Sequence, residues 1–341
     1  MSYLRNLLKE KIKNICNKLE KNILSNKSLK CKVVFGPINS RRLGYVLGIN
    51  NIKPNICSYN CIYCPSTNKT CCSICTNTCL SPYELHLSMK NKLNELDKLS
   101  DKINYLVFTG SGEPALDTGL SKEIMILREF GYKIAVFTNA SLIWNKQISE
   151  NLLFADYVSI KIDTINPDTW LKINRPHIRL NYDLILDGIK QFSKIFKGKL
   201  STETMLIKNV NDNDKEIDEL ANYLNKLDIE AAYFTTPIFP PEKSYAVSPD
   251  LDKLEYLKTL IKEKISKSVL LCCPDDEFTA TDDFENELLG MLSIHPVGSE
   301  VVKQFTKNEK DISKLKEMVE GNIIREIVFE GKNYYIENIA S

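Results

Sequence analysis

Between residues 46 and 271, strand-like runs alternate with helix-like runs, and this alternation limits the fold more than any other feature of the chain. Short β-branched and apolar runs occur at 46–49, 105–109, 133–138, 157–162, 201–207, 231–236 and 269–271. Helical periodicity fills the intervals at roughly 81–98, 119–130, 146–153, 182–197, 213–227 and 249–265. Strand and helix in turn predict a parallel sheet with right-handed crossovers, open or closed into a barrel. Ligands of such sheets gather at the carboxyl ends of the strands. At 341 residues the chain has the length for one α/β domain of this kind with small extensions.

The flanks read differently. Residues 1–32 carry nine Lys and Arg against Glu10 and Glu20, with Leu4, Leu7, Leu8, Ile12, Ile15, Leu19 and Ile23 at helical spacing. This predicts a basic amphipathic helical extension, either touching RNA, a membrane surface or a partner, or packed on the body with its lysines in water. Residues 290–341 predict two helices and a β-ribbon turning at Glu330–Gly331, a small winged-helix-like α+β module. Modules of that shape bind DNA, RNA or protein, or cap a domain. A proline-rich stretch at 236–249, "TPIFPPEKSYAVSP", is a candidate lid.

Composition restricts the setting. No apolar run is long enough to cross a bilayer, and the first residues lack an apolar segment with a small-residue cleavage site, so a cytoplasmic protein without membrane contact is expected. In that setting eleven cysteines point to metal or redox chemistry instead of a disulfide framework. The net charge of +1 gives no overall nucleic-acid-type basic excess.

Three of the cysteines form a tight group. "NICSYNCIYCP", residues 55–65, sets Cys57, Cys61 and Cys64 in a C-x3-C-x2-C spacing directly after the first predicted strand. Three thiolates are one short of the four a structural zinc or a fully protein-ligated cluster takes. A cubane [4Fe–4S] cluster on three thiolates leaves one iron open to a cofactor or substrate. Polar clusters close the next strands: "TGSGEP" at 109–114, "FTNA" at 137–140 and "SIKID" at 159–163. All fall at the same end of neighbouring strands, where one ligand can be surrounded.

This combination resembles the radical S-adenosylmethionine (SAM) superfamily, and implies a partial (βα)6 TIM-type barrel over residues 33–275. In that likeness Cys57, Cys61 and Cys64 hold a [4Fe–4S] cluster whose open iron is chelated by SAM. Gly112, Glu113 and Pro114 then align the SAM amino group, and Tyr63 lies near the adenine. Ser159, Lys161 or Asp163 holds the ribose, while Asn139, Glu203 and Met205 stand at strand ends that line the cofactor. The implied chemistry is reductive cleavage of SAM to a 5′-deoxyadenosyl radical that abstracts hydrogen from a substrate, with electrons from a flavodoxin- or ferredoxin-type donor. Glu113 and Asp163 act in it as hydrogen-bonding anchors and not as acids or bases.

"FGPINSRRLGYVLGINN", "INRPH", "IKNVND" and "SIHPVGSEVVKQF" narrow the resemblance. Together they look like iron–sulfur oxidoreductases of archaea and anaerobic bacteria related to the tRNA wyosine synthases. The likeness implies an RNA substrate, a tRNA nucleoside first of all. Wyosine synthases carry a further cysteine set upstream, for which Cys16 and Cys31 are too few, so the tricycle-forming reaction is not expected here.

The cysteine-rich insert at 71–79 lies outside the resemblance. Cys71, Cys72, Cys75 and Cys79, with Cys272 and Cys273 past the last predicted strand, are either ligands of a second metal or plain thiols in a reducing compartment. An auxiliary iron–sulfur cluster is the first choice for that metal and zinc the second. His177 is balanced between substrate contact and structure, and His295 is expected to be structural. Two further functions stand beside the RNA enzyme: a peptide or protein maturase with an auxiliary metal, and a non-catalytic metal-binding regulator.

Overall fold

The computed structural model describes residues 33–52, 56–65, 71–110, 112–271, 284–292, 295–306 and 308–338. The basic extension at 1–32, together with Cys16, Cys31, Cys272 and Cys273, lies outside the described residues. Eight strands form the main sheet: β1 (Val34–Ser40), β2 (Gly44–Ile49), β5 (Tyr105–Phe108), β6 (Lys133–Thr138), β7 (Tyr157–Lys161), β8 (Lys199–Met205), β9 (Ala231–Thr235) and β10 (Ser268–Leu271). They lie side by side in chain order, and every pairing is parallel except β1 with β2. The two short strands between them, β3 (Ile56–Cys57) and β4 (Cys71–Cys72), form a separate parallel ribbon.

Helices cross from each parallel strand to the next: α1 (Pro82–Leu96), α2 (Leu120–Leu127), α3 (Lys146–Leu152), α4 (Pro167–Asn174), α5 (Tyr182–Ile195), α6 (Asp214–Leu224) and α7 (Leu251–Lys264). Six strand–helix units followed by β10 give the parallel sheet that the alternation predicted, in keeping with the partial barrel that the resemblance implied. Asparagines fix where several helices begin. The side chains of Asn145, Asn166, Asn181 and Asn213 accept backbone N–H groups of the first turns of α3, α4, α5 and α6.

The period of two along each strand divides its side chains between two cores. Leu47, Ile49, Leu106, Phe108, Ile134, Val136, Val158, Ile160 and Phe234 face the helices in one large apolar cluster. Val46, Val107, Ala135 and Tyr157 face the concave side with Leu43. Toward the carboxyl ends that same concave register becomes polar, with Ser159, Lys161, Glu203 and Met205. The site is therefore a continuation of the strand alternation beyond an apolar floor. Phe35 lies across Gly48, where an added Cβ would come within 1.8 Å of the ring, so only glycine fits.

The chain enters β1 at the carboxyl end of β2. Val34 pairs with Ile49, and Asn50 N–H donates to the Val33 carbonyl at 2.8 Å. Val33 is thus fixed beside the carboxyl-end loops.

Beyond β10, α8 (Phe284–Leu292), β11 (Val297–Gly298), α9 (Ser299–Phe305), α10 (Glu309–Glu320), β12 (Ile324–Phe329) and β13 (Lys332–Glu337) build a second unit. Its antiparallel sheet runs β11-β13-β12, and Phe284, Leu288, Met291, Val302, Met318 and Ile324 pack as a separate apolar cluster. Among the described residues no helix is long and apolar enough to cross a membrane.

Candidate active site

The cysteine loop leaves β2 and is held from several sides by backbone hydrogen bonds. Glu113 N–H donates to the Ile56 carbonyl at 2.9 Å, which lays the Gly-Glu-Pro segment against β3. Gly112 is required by this contact, since a Cβ there would stand 2.4 Å from the Ile56 oxygen. From another side, Ile62 N–H donates to the Ile173 carbonyl at 2.9 Å and His177 N–H to the Ser58 carbonyl at 2.9 Å. The proline-rich segment covers a third side, with Glu242 N–H on the Cys64 carbonyl and Lys243 N–H on the Ile62 carbonyl, each at 2.9 Å.

Cys57 and Cys61 are buried and Cys64 is half-buried. Two side-chain amides reach the first two sulfurs. Asn139 Nδ2 donates to Cys57 Sγ at 3.5 Å and to Ser58 Oγ at 2.9 Å. Asn174 Nδ2 donates to Cys61 Sγ at 3.4 Å and to Asp163 Oδ2 at 2.7 Å. N–H donors on sulfur stabilise thiolate and tune an iron–sulfur cluster bound to it. Among the described residues no three His, Cys, Asp or Glu side chains converge on a single ion. A cubane distributes its ligands over separate irons, so it requires thiolates around a space and not upon a point. The donor set of three closely spaced cysteines with amide donors on their sulfurs fits such a cluster.

Glu113 is an anchor. Its carboxylate accepts Ala115 N–H at 2.9 Å, Thr138 Oγ1–H at 2.6 Å and Asn139 N–H at 2.6 Å. Burial raises its pKa, and these three hydrogen bonds oppose the rise. The carboxylate thereby fixes the backbone of Asn139, whose side chain serves Cys57 and Ser58.

Asp163 has a matching position two strands on, past the end of β7. It accepts the Tyr63 hydroxyl at 2.6 Å, the Asn174 amide and Met205 N–H at 2.9 Å. Burial, reinforced by the Asp163 charge, keeps the Tyr63 hydroxyl protonated. The Lys161 ammonium lies 5.0 Å from the Tyr63 ring centroid and donates to Glu203 Oε1 at 2.6 Å. Burial disfavours the charged form of Glu203, yet the Arg42 and Lys161 charges hold its carboxyl far below the usual range. Burial likewise opposes the Lys161 charge, and Glu203 and Asp163 restore it.

The structure thus brings Tyr63, Gly112, Glu113, Pro114, Asn139, Lys161, Asp163, Glu203 and Met205 to one end of the sheet with the three cysteines. Ser159 lies deeper, its hydroxyl 3.5 Å from Arg42 Nη1. Arg42 and Asn174 were not singled out from sequence. Arg42 pairs with Glu203 and sits over the Phe137 and Tyr233 rings at 5.2 and 5.1 Å. Both residues lie inside segments that carried the narrower resemblance, and that was the one signal available for them. The "IKNVND" segment works similarly: Asn211 Nδ2 donates to the Asp163 and Met205 carbonyls, each at 2.8 Å, tying the ends of β7 and β8.

The insert lies directly against this loop, with Ile56 opposite Cys71 and Cys57 opposite Cys72. Cys79 N–H donates to Asp117 Oδ2 at 3.1 Å, and Cys72 Sγ to the Ser58 carbonyl at 3.2 Å. Cys75 N–H donates to Ser73 Oγ at 3.0 Å. His295 stacks on Phe239 with centroids 4.2 Å apart and joins the C-terminal unit to the proline-rich segment. His177 Nδ1 accepts Arg179 N–H at 3.2 Å.

Residues 51–221 match the radical SAM superfamily domain. The chain belongs to the radical SAM superfamily. A UPF0026 protein of Methanocaldococcus jannaschii is 36% identical over 317 residues, spanning 91% of this chain and 97% of that protein. A probable dual-specificity RNA methyltransferase RlmN of Finegoldia magna is 27% identical over 221 residues, 62% of this chain and 60% of that one. Among solved structures, a radical SAM methyltransferase from Sphaerobacter thermophilus shares the fold at a TM-score of 0.52 and 16% identity over 66% of each chain. Membership of this enzyme superfamily implies a [4Fe–4S] cluster and SAM.

Proposed function

We propose that this radical SAM enzyme binds its cluster through Cys57, Cys61 and Cys64 and acts on a nucleoside in RNA, tRNA first of all. The cluster and SAM together supply one-electron cleavage of the sulfonium and a 5′-deoxyadenosyl radical able to take hydrogen from an unactivated C–H bond. The protein's share is positioning. The observation that carries the reading is the seating of the Gly-Glu-Pro segment and Asn139 on the cysteine loop, with Glu113 joining the two.

In this reading Gly112, Glu113 and Pro114 present backbone groups to the SAM amino end. Tyr63 flanks the adenine, with its hydroxyl fixed by Asp163. Ser159, Lys161, Asp163, Glu203 and Met205 form the polar wall beyond the apolar floor, and Arg42 holds Glu203 ionised within it. The likeness to an RNA methyltransferase supports an RNA substrate, as do the nine basic residues that precede Val33 in the sequence. The 290–341 module is the candidate docking unit for that RNA.

A peptide substrate is the second reading, favoured by the insert that runs in register beside Cys57. Cys71, Cys72, Cys75 and Cys79, with Cys272 and Cys273, would then carry the auxiliary cluster or zinc. Anaerobic reconstitution with dithionite and SAM tests the chemistry, and absence of 5′-deoxyadenosine overturns it. Modified-nucleoside profiles of tRNA from a deletion strain and its parent test the substrate, and identical profiles overturn the RNA reading.

A further inference from the structure

We propose that the exposed face of the turn at 175–179 is the docking surface for an acidic one-electron carrier protein that reduces the cluster. This rests on the reading of Cys57, Cys61 and Cys64 as the cluster mount. Reduction requires an electron from outside the chain, and a carrier must approach where little protein separates it from a thiolate.

Three elements lie against the cysteine loop toward solvent, the insert at 71–79, the proline-rich segment and the turn at 175–179, and their charge differs: the insert carries no charged residue. On the proline-rich side, Lys243 is neutralised by its neighbour Glu242, 3.3 Å away. On the turn, Arg175 and Arg179 are both exposed, and neither forms an ion pair among the described residues. Between them Ile178 is 95% exposed. Leu171 on α4 and Leu184 on α5 add exposed apolar surface on the flanking helices. The cations are concentrated on the turn itself, around Ile178, while Leu184 is bordered by the exposed Asp183; an apolar centre between arginines is the composition of a transient protein-docking patch.

The turn also lies next to a cysteine sulfur. Asn174, one residue before Arg175, donates to Cys61 Sγ at 3.4 Å. Asn60 N–H reaches the carbonyls of Asn174 and Arg175 at 2.9 and 3.2 Å. A single stretch of chain therefore separates the patch from a cluster thiolate.

Arg175 has φ 45°, in the left-handed region that glycine or asparagine occupies at less cost. The turn needs this conformation and not a guanidinium, so the charge at 175 can be changed without changing what the backbone demands. Electrostatic complementarity steers acidic partners to such a site and speeds association. The step moves one electron: the carrier is oxidised by one and the cluster reduced by one, with no bond formed to the protein.

The test uses reconstituted holoenzyme, a purified acidic flavodoxin in its hydroquinone form, and the variants R175E/R179E and I178S. A glutamate side chain makes the same demand on the left-handed backbone as the arginine it replaces, so folding is preserved; thermal unfolding checks this. Stopped-flow reduction by flavodoxin should slow about tenfold or more in R175E/R179E at low ionic strength, with the gap closing as salt is added. Flavodoxin binding measured by calorimetry should weaken in parallel, in I178S as well. Reduction by dithionite should be unchanged. Equal flavodoxin rates and affinities in all variants would sink the proposal. So would loss of tRNA binding with flavodoxin reduction intact, which would make the patch an RNA surface. If dithionite fails to reduce a cluster even in the wild type, the cofactor reading itself falls, and this proposal with it.

Discussion

Glu123 is fully buried on α2, and burial reinforced by the nearby Asp117 charge pushes its carboxyl up to about 8. Asn51 Nδ2 donates to Glu123 Oε2 at 3.0 Å, while Glu123 Oε1 and Asn51 Oδ1 have no hydrogen-bond partner among the described residues. A carboxyl with a raised folded-state pKa binds its proton more tightly folded than unfolded. Its contribution is complete below the unfolded value and is lost as pH rises toward about 8. Glu123→Gln should therefore be more stable than the wild type by about 1–3 kcal/mol near pH 9, with the difference fading toward pH 5. Urea midpoints across that range measure it, and parallel profiles would contradict the assignment. Asn174 belongs to the same scale. Asn174→Leu removes the N–H donor from Cys61 and should lower the potential of the reconstituted cluster by on the order of tens of mV. An EPR-monitored redox titration reads the shift; an unmoved potential removes the role given to this amide.

Elements meet at the site through backbone, and Gly112 shows how closely. Gly112→Ala would force a Cβ against the Ile56 carbonyl and part the Gly-Glu-Pro segment from the cysteine loop. SAM affinity of the reconstituted protein should fall at least about tenfold while thermal unfolding stays cooperative. Calorimetric titration with SAM measures this, and an unchanged affinity would mean that the seating is dispensable. The strand ends that build the site were legible because β-branched runs closed by polar clusters are local signals; β6 spans the same residues as its sequence expectation. The edge strand β1 was not legible, because Gly36 and Pro37 inside it read as a turn, and an edge strand alone tolerates them. Helix α4 was not expected from the sequence; it is held through Trp170, whose Nε1 donates to the Tyr59 hydroxyl at 3.2 Å, a long-range contact that no local pattern encodes. Strand β8 begins at Lys199, two residues before the expected start, because Lys199 pairs with Tyr157 across the sheet. Arg42 and Asn174 act through partners more than a hundred residues away, Glu203 and Cys61, and no local pattern encodes such contacts.

At the scale of the whole molecule, the C-terminal unit is joined to the barrel by a buried ion pair between Lys92 on α1 and Glu287 on α8, whose side chains are 2% and 0% exposed. Two charges withdrawn from water stabilise only as a pair, and either one alone is a large penalty. Lys92→Met should then cost about 3–5 kcal/mol by leaving Glu287 buried without its ammonium, whereas Lys92→Met with Glu287→Leu should return to within about 1 kcal/mol of the wild type. Chemical denaturation of the two singles and the double measures the coupling; additive losses would show that the pair does not join the units. The consequence reaches the site. Tyr334 donates to the Ile238 carbonyl at 3.2 Å and His295 stacks on Phe239, so the C-terminal unit grips the segment whose Glu242 and Lys243 amides cover the cysteine loop. Loosening the unit should therefore expose that segment. Limited proteolysis at 236–249 should be faster in Lys92→Met than in the wild type and near normal in the double variant, because the restored apolar contact again holds the cover in place.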